Sequence, residues 1–373
     1  MTDAEDQPSR LARSLLPGPT LSFTLPSIHD GLAIDCRVYH PQSLDQSPSS
    51  PPWRKHAAVF AHPYAPLGGC YDDPVVDIAA GTLLKLGFLV GTFNFRGAQG
   101  SAGRTSWTAK AERADYASVV GFLSYYVHYL DPFRPHLFQS VPTTSPIAEA
   151  SDYMGPHGGS RPVTPSAPHD NNKSPLFLMG GYSYGSMITM QLPSLQNILH
   201  QFDTPACSSH AAENTTSELN TLQRCKIQHL VAARPAYLLV SPLQGLINNL
   251  ASFNLLPRRP SWKGLTRSMS SPAATASPTG ELSPSSDTAL SLEEAEAKLV
   301  RNPTLAIYGD NDGFVPVRKL RPWAARLEGI PHSSFRAHEV SGASHFWAQG
   351  RPAYTLKDAI KTFAESLLAK DGS

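Results

Sequence analysis

The sequence predicts a protein of the α/β class, in which a mostly parallel β-sheet is covered by helices on both faces. Short apolar runs alternate with stretches of helical character along most of the 373 residues. Apolar residues make up 41% of the chain, which is enough for a large buried core. One apolar run, residues 176–180, is followed directly by a glycine-rich turn and a helix-compatible stretch. This strand–turn–helix order is typical of a parallel sheet.

Each element follows from its local pattern. Residues 21–25 and 33–39 are separated by a turn signal at residues 29–31, so they predict an antiparallel pair of strands. The other strands are short apolar runs, predicted at residues 57–61, 88–94, 176–180, 236–241, 304–308 and 335–340. Helices are predicted at residues 75–86, 109–126, 187–192, 317–327 and 356–369. The crossovers between parallel strands should be right-handed.

Two proline-rich stretches interrupt this alternation, at about 140–174 and 257–291. Neither has hydrophobic periodicity, so neither can bury enough apolar area to offset the entropy that is lost on ordering. We therefore predict a single domain over residues 18–373 that carries two disordered surface insertions. Residues 1–17 are predicted to be a disordered N-terminus, and residues 42–52 have a similar composition.

Composition argues against several classes of function. The formal net charge is +1, so neither nucleic acid nor an anionic membrane surface is expected as a partner. The four cysteines are scattered, and the 14 histidines form no cluster with them at zinc spacing, so we expect no metal and no cofactor. The chain has no signal-peptide pattern and no apolar run of membrane-spanning length. These features predict a cytoplasmic protein with reduced thiols.

The pentapeptide from Gly181 to Gly185, Gly-Tyr-Ser-Tyr-Gly, carries the most chemical information. A G-x-S-x-G pattern between a strand and a helix is the nucleophile elbow of an α/β-hydrolase, here centred on Ser183. The sharp turn strains the serine backbone and holds its hydroxyl clear of the sheet, and a side chain at either glycine would crowd the turn. The pattern alone recurs by chance, so catalysis is favoured only together with the surrounding elements and partner residues.

The acid should follow the serine in the chain, just after a later strand. The predicted strand 304–308 is followed by two aspartates, Asp310 and Asp312. Asp312 is preferred because a G-x-x-D pattern with V-P shortly after it is common at this position. Asp310 is then expected to shape the turn.

The histidine should follow the next strand, where His345 ends a loop of small residues. We expect His345 to take the proton of Ser183 and later to protonate the leaving group, while Asp312 fixes the tautomer of the imidazole. Two other histidines compete with it as ordinary structural residues, His332 and His338.

An oxyanion hole needs two donors. One is predicted to be the amide of Tyr184, the residue after the nucleophile, and the other should come from the loop after strand 57–61. That loop begins His62-Pro63-Tyr64. Proline has no N–H group, so the amide of Tyr64 is the predicted second donor, and His62 is expected to shape the loop.

These motifs resemble a branch of the α/β-hydrolase superfamily that has an H-P-x-x-x-x-G-G oxyanion loop and an N-F-R-G segment. Here the loop runs from His62 to Gly69 and the segment from Asn94 to Gly97. The match covers most of residues 57–125, 176–192, 236–241 and 304–369. The branch usually has a second loop histidine where this chain has Tyr64. The resemblance implies a serine hydrolase that cleaves a small-molecule carboxylic ester or thioester.

Two further features have two interpretations each. Arg96 could bind a substrate carboxylate, or it could tie loops together, with Glu112 and Asp115 as candidate partners one helical turn apart. Residues 243–256 could line an acyl pocket or form an ordinary core helix.

Two alternative functions compete with ester or thioester hydrolysis by a free-standing enzyme. One is an acyl or polyketide thioesterase or acyltransferase of a biosynthetic pathway. The other is a non-catalytic interaction protein that binds partners through its insertions. Proteins that have lost catalysis usually lack a triad residue, whereas all three candidates are present here in order.

Overall fold

The computed structural model describes residues 14–45, 53–130, 174–203, 230, 232–243, 290–347 and 350–369. Its strands are β1 Leu21–Pro26, β2 Ala33–Tyr39, β3 Ala57–Ala61, β4 Leu89–Phe93, β5 Leu176–Tyr182, β6 Arg234–Val240, β7 Thr304–Asn311 and β8 Phe335–Ser344. Its α-helices are α1 Pro74–Lys85, α2 Lys110–Tyr129, α3 Tyr184–Gln191, α4 Leu195–Asp203, α5 Leu292–Arg301, α6 Val317–Glu328 and α7 Arg351–Ala369.

The strands form one sheet in the order β1-β2-β4-β3-β5-β6-β7-β8. β2 is antiparallel to both β1 and β4, and every other neighbouring pair is parallel. The chain therefore has the α/β-hydrolase fold, which confirms the predicted fold class. The predicted antiparallel pair and all the predicted parallel strands are present, although several of them end at other residues.

Among the strands, the largest differences lie at the carboxyl ends of β7 and β8. The predictions stopped at residues 308 and 340, whereas β7 continues to Asn311 and β8 to Ser344. The added residues are polar or small and have low strand propensity, so the sequence pattern does not mark them. Asn311 lies opposite Ser344, and the register shifts between Gly309 and Asn311, so the two strand ends meet across a β-bulge.

Two helices were not predicted, α4 and α5. α5 begins with a capping box, in which the Ser291 side chain accepts from the amide of Glu294 and the Glu294 side chain accepts from the amide of Ser291. The S-x-x-E pattern is visible in the sequence and could have identified this helix start. This pattern lies at the edge of the serine-rich stretch, whose composition favours disorder, so the helix start was not predicted.

The core has two layers, one on each face of the sheet. α2, α3 and α6 contribute to one layer through side chains such as Tyr116, Met187 and Leu320. α1 and α7 contribute to the other through side chains such as Val76 and Leu356. All residues of β5 are buried, so the strand that leads into the predicted elbow lies at the centre of the molecule.

Most of the predicted insertions, at about 140–174 and 257–291, lie outside the described residues, and so does nearly all of the stretch 243–256. Residues 42–45 belong to a short 3₁₀ helix, Gln42–Asp45, so they differ from the expectation of disorder. Among the helices that the structure describes, none is both long and apolar enough to cross a membrane.

The end of the predicted N-terminal segment is attached to α1. The hydroxyl of Ser14 and the amides of Leu15 and Leu16 donate to the Asp77 carboxylate at 2.5, 2.8 and 2.9 Å. Three hydrogen bonds to one carboxylate, in addition to apolar packing of the two leucines, offset the entropy that is lost on ordering. The expectation of disorder is therefore wrong for residues 14–17.

Lys298 of α5 is buried and joins this helix to the end of α3. Its Nζ donates to the carbonyls of Thr189, Met190 and Leu192 at 3.0, 3.0 and 2.6 Å, and it lies 4.8 Å from the centroid of the Tyr237 ring. Carbonyls at a helix end lack donors within the helix and favour a nearby cation. Burial lowers the pKa of Lys298 to about 7, while the three carbonyls favour its charged form.

We expect Lys298→Met to lower the free energy of unfolding by about 3 kcal/mol, because three buried carbonyls lose a charged donor and only that of Thr189 keeps another, the amide of Leu192 at 3.4 Å. Urea denaturation followed by circular dichroism measures this change. Lys85→Met is the matched control, since Lys85 is exposed in the last turn of α1 and its loss should change stability by less than about 0.5 kcal/mol. Equal effects of the two substitutions would contradict the capping role.

Candidate active site

Ser183 occupies the sharp turn between β5 and α3. Its backbone angles are φ 55° and ψ −113°, a combination that a residue with a side chain rarely adopts. Neither neighbouring glycine has room for a side chain. A Cβ atom at Gly181 would overlap the backbone of Gly185, and one at Gly185 would lie 2.6 Å from the carbonyl oxygen of Ala61. The turn therefore has the crowding that the pentapeptide predicts.

Asp312 and His345 follow the ends of two paired strands. β7 ends at Asn311 and β8 ends at Ser344, and these two residues are register partners. The next residue on each strand is the predicted acid or the predicted histidine, so the pairing brings the two side by side. β5 ends at the same carboxyl edge of the sheet, where open α/β sheets form their ligand sites.

The three side chains form a continuous hydrogen-bonded chain. His345 Nε2 lies 2.8 Å from the Ser183 hydroxyl oxygen, and His345 Nδ1 lies 2.7 Å from Asp312 Oδ2. All three residues are buried. An ionised carboxylate only accepts, so the Asp312 contact favours the tautomer with the proton on Nδ1. Nε2 is then free to accept the proton of Ser183.

Asp312 is held by its surroundings as well as by His345. Its Oδ1 accepts from the amides of Phe314 and Val315 at 2.8 and 3.0 Å. Burial raises the pKa of Asp312, but the contact with His345 and the two amides outweigh it, so this pKa lies below its usual value. The carboxylate is therefore ionised at neutral pH.

The residues that competed for these positions lie elsewhere. Asp310 accepts from the hydroxyl of Ser341 at 3.2 Å and from the amide of Gly342 at 2.7 Å, so it supports the end of β8 that leads to His345. His338 lies within β8, opposite Ile307. His332 is exposed and adopts a positive φ of 61° between α6 and β8.

The two predicted oxyanion donors belong to adjacent segments. Tyr184 is the first residue of α3, so its amide has no acceptor within the helix. Tyr64 precedes the 3₁₀ turn Ala65–Leu67, and its amide donates no hydrogen bond to any part of the chain that the structure describes. The centroids of the two tyrosine rings are 5.2 Å apart, so the loop after β3 packs against the elbow.

His62 shapes this loop, as expected from the sequence. Its Nε2 lies 2.8 Å from the amide of Phe95, which can only donate, and its Nδ1 lies 2.5 Å from the carbonyl of Pro63. The proton is therefore on Nδ1. Burial lowers the pKa of His62 to about 4, so the ring stays neutral and keeps both hydrogen bonds at ordinary pH.

Arg96 ties loops together. Its guanidinium is buried, with Nη2 2.6 Å from Asp115 and Nη1 2.8 Å from Asp30. Asp115 is therefore a partner, as predicted, whereas the prediction for Glu112 is wrong because this carboxylate accepts from the amide and hydroxyl of Ser106. Two carboxylates neutralise the arginine, which argues against the binding of a substrate carboxylate.

Three aromatic residues around the His345 ring are absent from the sequence-based site, namely Tyr182, Phe314 and Phe346. Their ring centroids lie 5.6, 4.4 and 5.8 Å from the centroid of the imidazole. Each is within two residues of a predicted catalytic residue, which is the signal that could have identified them.

In the described part of the chain, no three side chains of His, Cys, Asp or Glu are grouped as a metal site.

No protein-family model and no curated protein matches the chain. Solved structures of low sequence identity do match it. An α/β serine hydrolase without a lid from Xanthomonas campestris is 16% identical, with 95% of this chain and 97% of that chain covered and a TM-score of 0.47.

Two other solved structures are similar over nearly their whole length. Est1E from Butyrivibrio proteoclasticus, with ferulic acid bound, is 14% identical, with 93% of this chain and 99% of that chain covered and a TM-score of 0.48. Esterase 2 from Thermogutta terrifontis, phosphonylated by cyclosarin, is 13% identical, with 95% of each chain covered and a TM-score of 0.49. These likenesses concern the overall fold alone.

We expect Gly185→Ala to lower the free energy of unfolding by about 2 kcal/mol, because the added methyl group collides with the backbone at the end of β3. Thermal and urea denaturation measure the loss. Gly18→Ala is the matched control, since an added methyl group there meets no atom within 4 Å. A fully stable Gly185→Ala protein would show that the elbow is less crowded than described.

Proposed function

We propose that this protein is a serine hydrolase that cleaves a carboxylic ester or a thioester through an acyl-enzyme on Ser183. The observation that carries this proposal is the hydrogen-bonded chain from Ser183 through His345 to Asp312, with distances of 2.8 and 2.7 Å. A serine hydroxyl is a weak nucleophile until a base accepts its proton, and a base oriented by a carboxylate supplies that activation.

In the first half of the reaction, Oγ of Ser183 attacks the substrate carbonyl while Nε2 of His345 takes the hydroxyl proton. Asp312 stabilises the imidazolium that forms. The carbonyl oxygen becomes negative and accepts from two amides, that of Tyr64 in the loop after β3 and that of Tyr184 at the N-terminus of α3. His345 then protonates the leaving alcohol or thiol as its bond to the acyl carbon breaks, and an acyl ester of Ser183 remains.

In the second half, a water molecule attacks the acyl ester and His345 takes its proton. The tetrahedral intermediate collapses, Ser183 leaves with the proton that His345 returns, and the carboxylic acid is released. An alcohol, amine or thiol that enters in place of water would make the same site an acyltransferase. The ionised state of Asp312 supports both halves, since its lowered pKa keeps the negative charge in place.

A substrate panel distinguishes ester from thioester cleavage. Oxygen esters and thioesters that share one acyl chain are compared by kcat/KM, so that only the leaving group differs. A strong preference for thioesters would support the biosynthetic thioesterase alternative. Product analysis with added alcohols or amines would reveal transfer to an acceptor other than water.

We expect a fluorophosphonate probe to label the wild-type protein covalently and to leave Ser183→Ala unlabelled. The probe reports an activated serine whatever the natural substrate is, and intact-mass spectrometry measures the adduct. Ser124→Ala is the control, because Ser124 lies in α2 and donates only to the carbonyl of Val120 at 2.8 Å. Absence of labelling in well-folded wild-type protein would overturn the proposal and favour a non-catalytic interaction protein.

We expect Asp312→Asn to reduce kcat by about 10⁴-fold, because the amide places the His345 proton on the wrong nitrogen. Asp310→Asn, two residues earlier at the end of β7, is the matched control. It should reduce kcat less than about tenfold, since Asp310 contacts Ser341 and Gly342 rather than His345. Ester hydrolysis measures both variants. A larger loss for Asp310→Asn would reassign the acid.

A further inference from the structure

Three aromatic rings surround the imidazole of His345, and we call Tyr182, Phe314 and Phe346 the aromatic cage. Phe314 is the nearest, with 4.4 Å between ring centroids and 40° between ring planes. The Tyr182 ring lies 5.6 Å away at 35°, and the Phe346 ring 5.8 Å away at 88°. His345 is only 4% exposed, so these rings replace solvent around it.

Phe314 acts on both partners of the His345–Asp312 pair. Its amide donates to Oδ1 of Asp312 at 2.8 Å, while its ring packs on the imidazole. The ring is partly buried and also contacts Phe346, with centroids 5.6 Å apart. One short turn thus fixes the carboxylate through the backbone and the imidazole through the side chain.

The polar and charged groups around His345 determine the electrostatic environment of its ring. Asp312 contacts Nδ1 from the end of β7, and Ser183 contacts Nε2 from the elbow. The hydroxyl of Tyr182 donates to the His345 carbonyl at 2.8 Å. Asp73, the N-cap of α1, is also within electrostatic reach of a protonated His345: burial raises the pKa of Asp73, while backbone hydrogen bonds from α1 and a positive charge on His345 oppose that rise.

An aromatic face attracts a cation within about 6 Å of its centroid, and more strongly where water is excluded. His345 becomes such a cation whenever it accepts the proton of Ser183. The rings of Phe314 and Tyr182 lie within this distance and are tilted by 40° and 35° to the imidazole, whereas Phe346 is perpendicular to it. A leucine at position 314 would fill similar space and exclude similar water, but it has no ring quadrupole.

We propose that Phe314 is a positioning residue whose ring holds the His345 imidazole between Ser183 and Asp312 and stabilises the positive charge that the imidazole acquires. This inference rests on the proposed function and adds a residue outside the triad and the oxyanion hole. Phe314 does not touch the reacting atoms of a substrate; it acts through His345.

The test is the second-order rate of fluorophosphonate labelling as a function of pH for wild type, Phe314→Leu and Phe314→Tyr. Labelling needs an imidazole at His345 that can accept the Ser183 proton, so the rate should rise with pH to a plateau, and the midpoint of this rise is the quantity compared. Loss of the aromatic face makes the cation less stable, so Phe314→Leu should move the midpoint to lower pH by about half a unit. Its plateau rate should fall severalfold, because the base is weaker and less well held.

Phe314→Tyr keeps the aromatic face and should retain the wild-type midpoint. Phe23→Leu is the matched control, because the Phe23 ring pairs with Phe122 at 4.6 Å and not with His345. It should also leave the midpoint unchanged. Thermal unfolding verifies that each variant is folded. If Phe314→Leu is unstable, Phe314→Met replaces it as the variant without an aromatic ring.

An unchanged or raised midpoint in folded Phe314→Leu would overturn the inference, since it would mean that the ring contributes only packing or water exclusion. A midpoint shift of equal size in Phe23→Leu would overturn it as well. Failure of the proposed function gives a different result, because wild-type protein would then not be labelled at any pH.

Discussion

The pairing of β7 with β8 at their carboxyl ends is the constraint on which the site depends. Because Asn311 is the register partner of Ser344, the following residues, Asp312 and His345, are delivered to one place. The approach of the strands is close, since a Cβ atom at Gly309 would overlap the backbone of Ala343. Between Gly309 and Asn311 the register of the two strands shifts by two residues, so a local bulge, and not the regular register of the sheet, places Asp312 beside His345.

The nucleophile elbow is held from both ends of α3. At the start of the helix, Gly185 packs against the end of β3, which leaves Ser183 in its strained conformation. At the other end, three carbonyls accept hydrogen bonds from Lys298, which belongs to α5, more than a hundred residues further along the chain. Strain at one residue persists only where the surrounding structure over-determines it, and these two contacts provide that support.

In the proposed mechanism a transient cation and a transient anion form at the site, and the charges of the surrounding groups suit both. Asp312 stays ionised, His62 stays neutral, and Arg96 is neutralised by two carboxylates. The imidazolium of the proposed mechanism then forms next to a fixed negative charge and within the aromatic cage. The oxyanion forms next to backbone amides, which carry no net charge and do not titrate. A preorganised environment of this kind needs little rearrangement during the reaction.

Local sequence determined the strand–turn–helix elbow and the centres of the strands, because glycine spacing and apolar runs are short-range patterns. The order of motifs along the chain marked Ser183, Asp312 and His345 as the candidate site residues. Only the tertiary structure decided the ends of β7 and β8, the partners of Arg96 and Lys298, and the rings that surround His345. These features depend on strand pairing and on packing between segments distant in the chain. A polar strand end or a buried lysine carries no local signal, because its stability comes from groups that only the fold brings near.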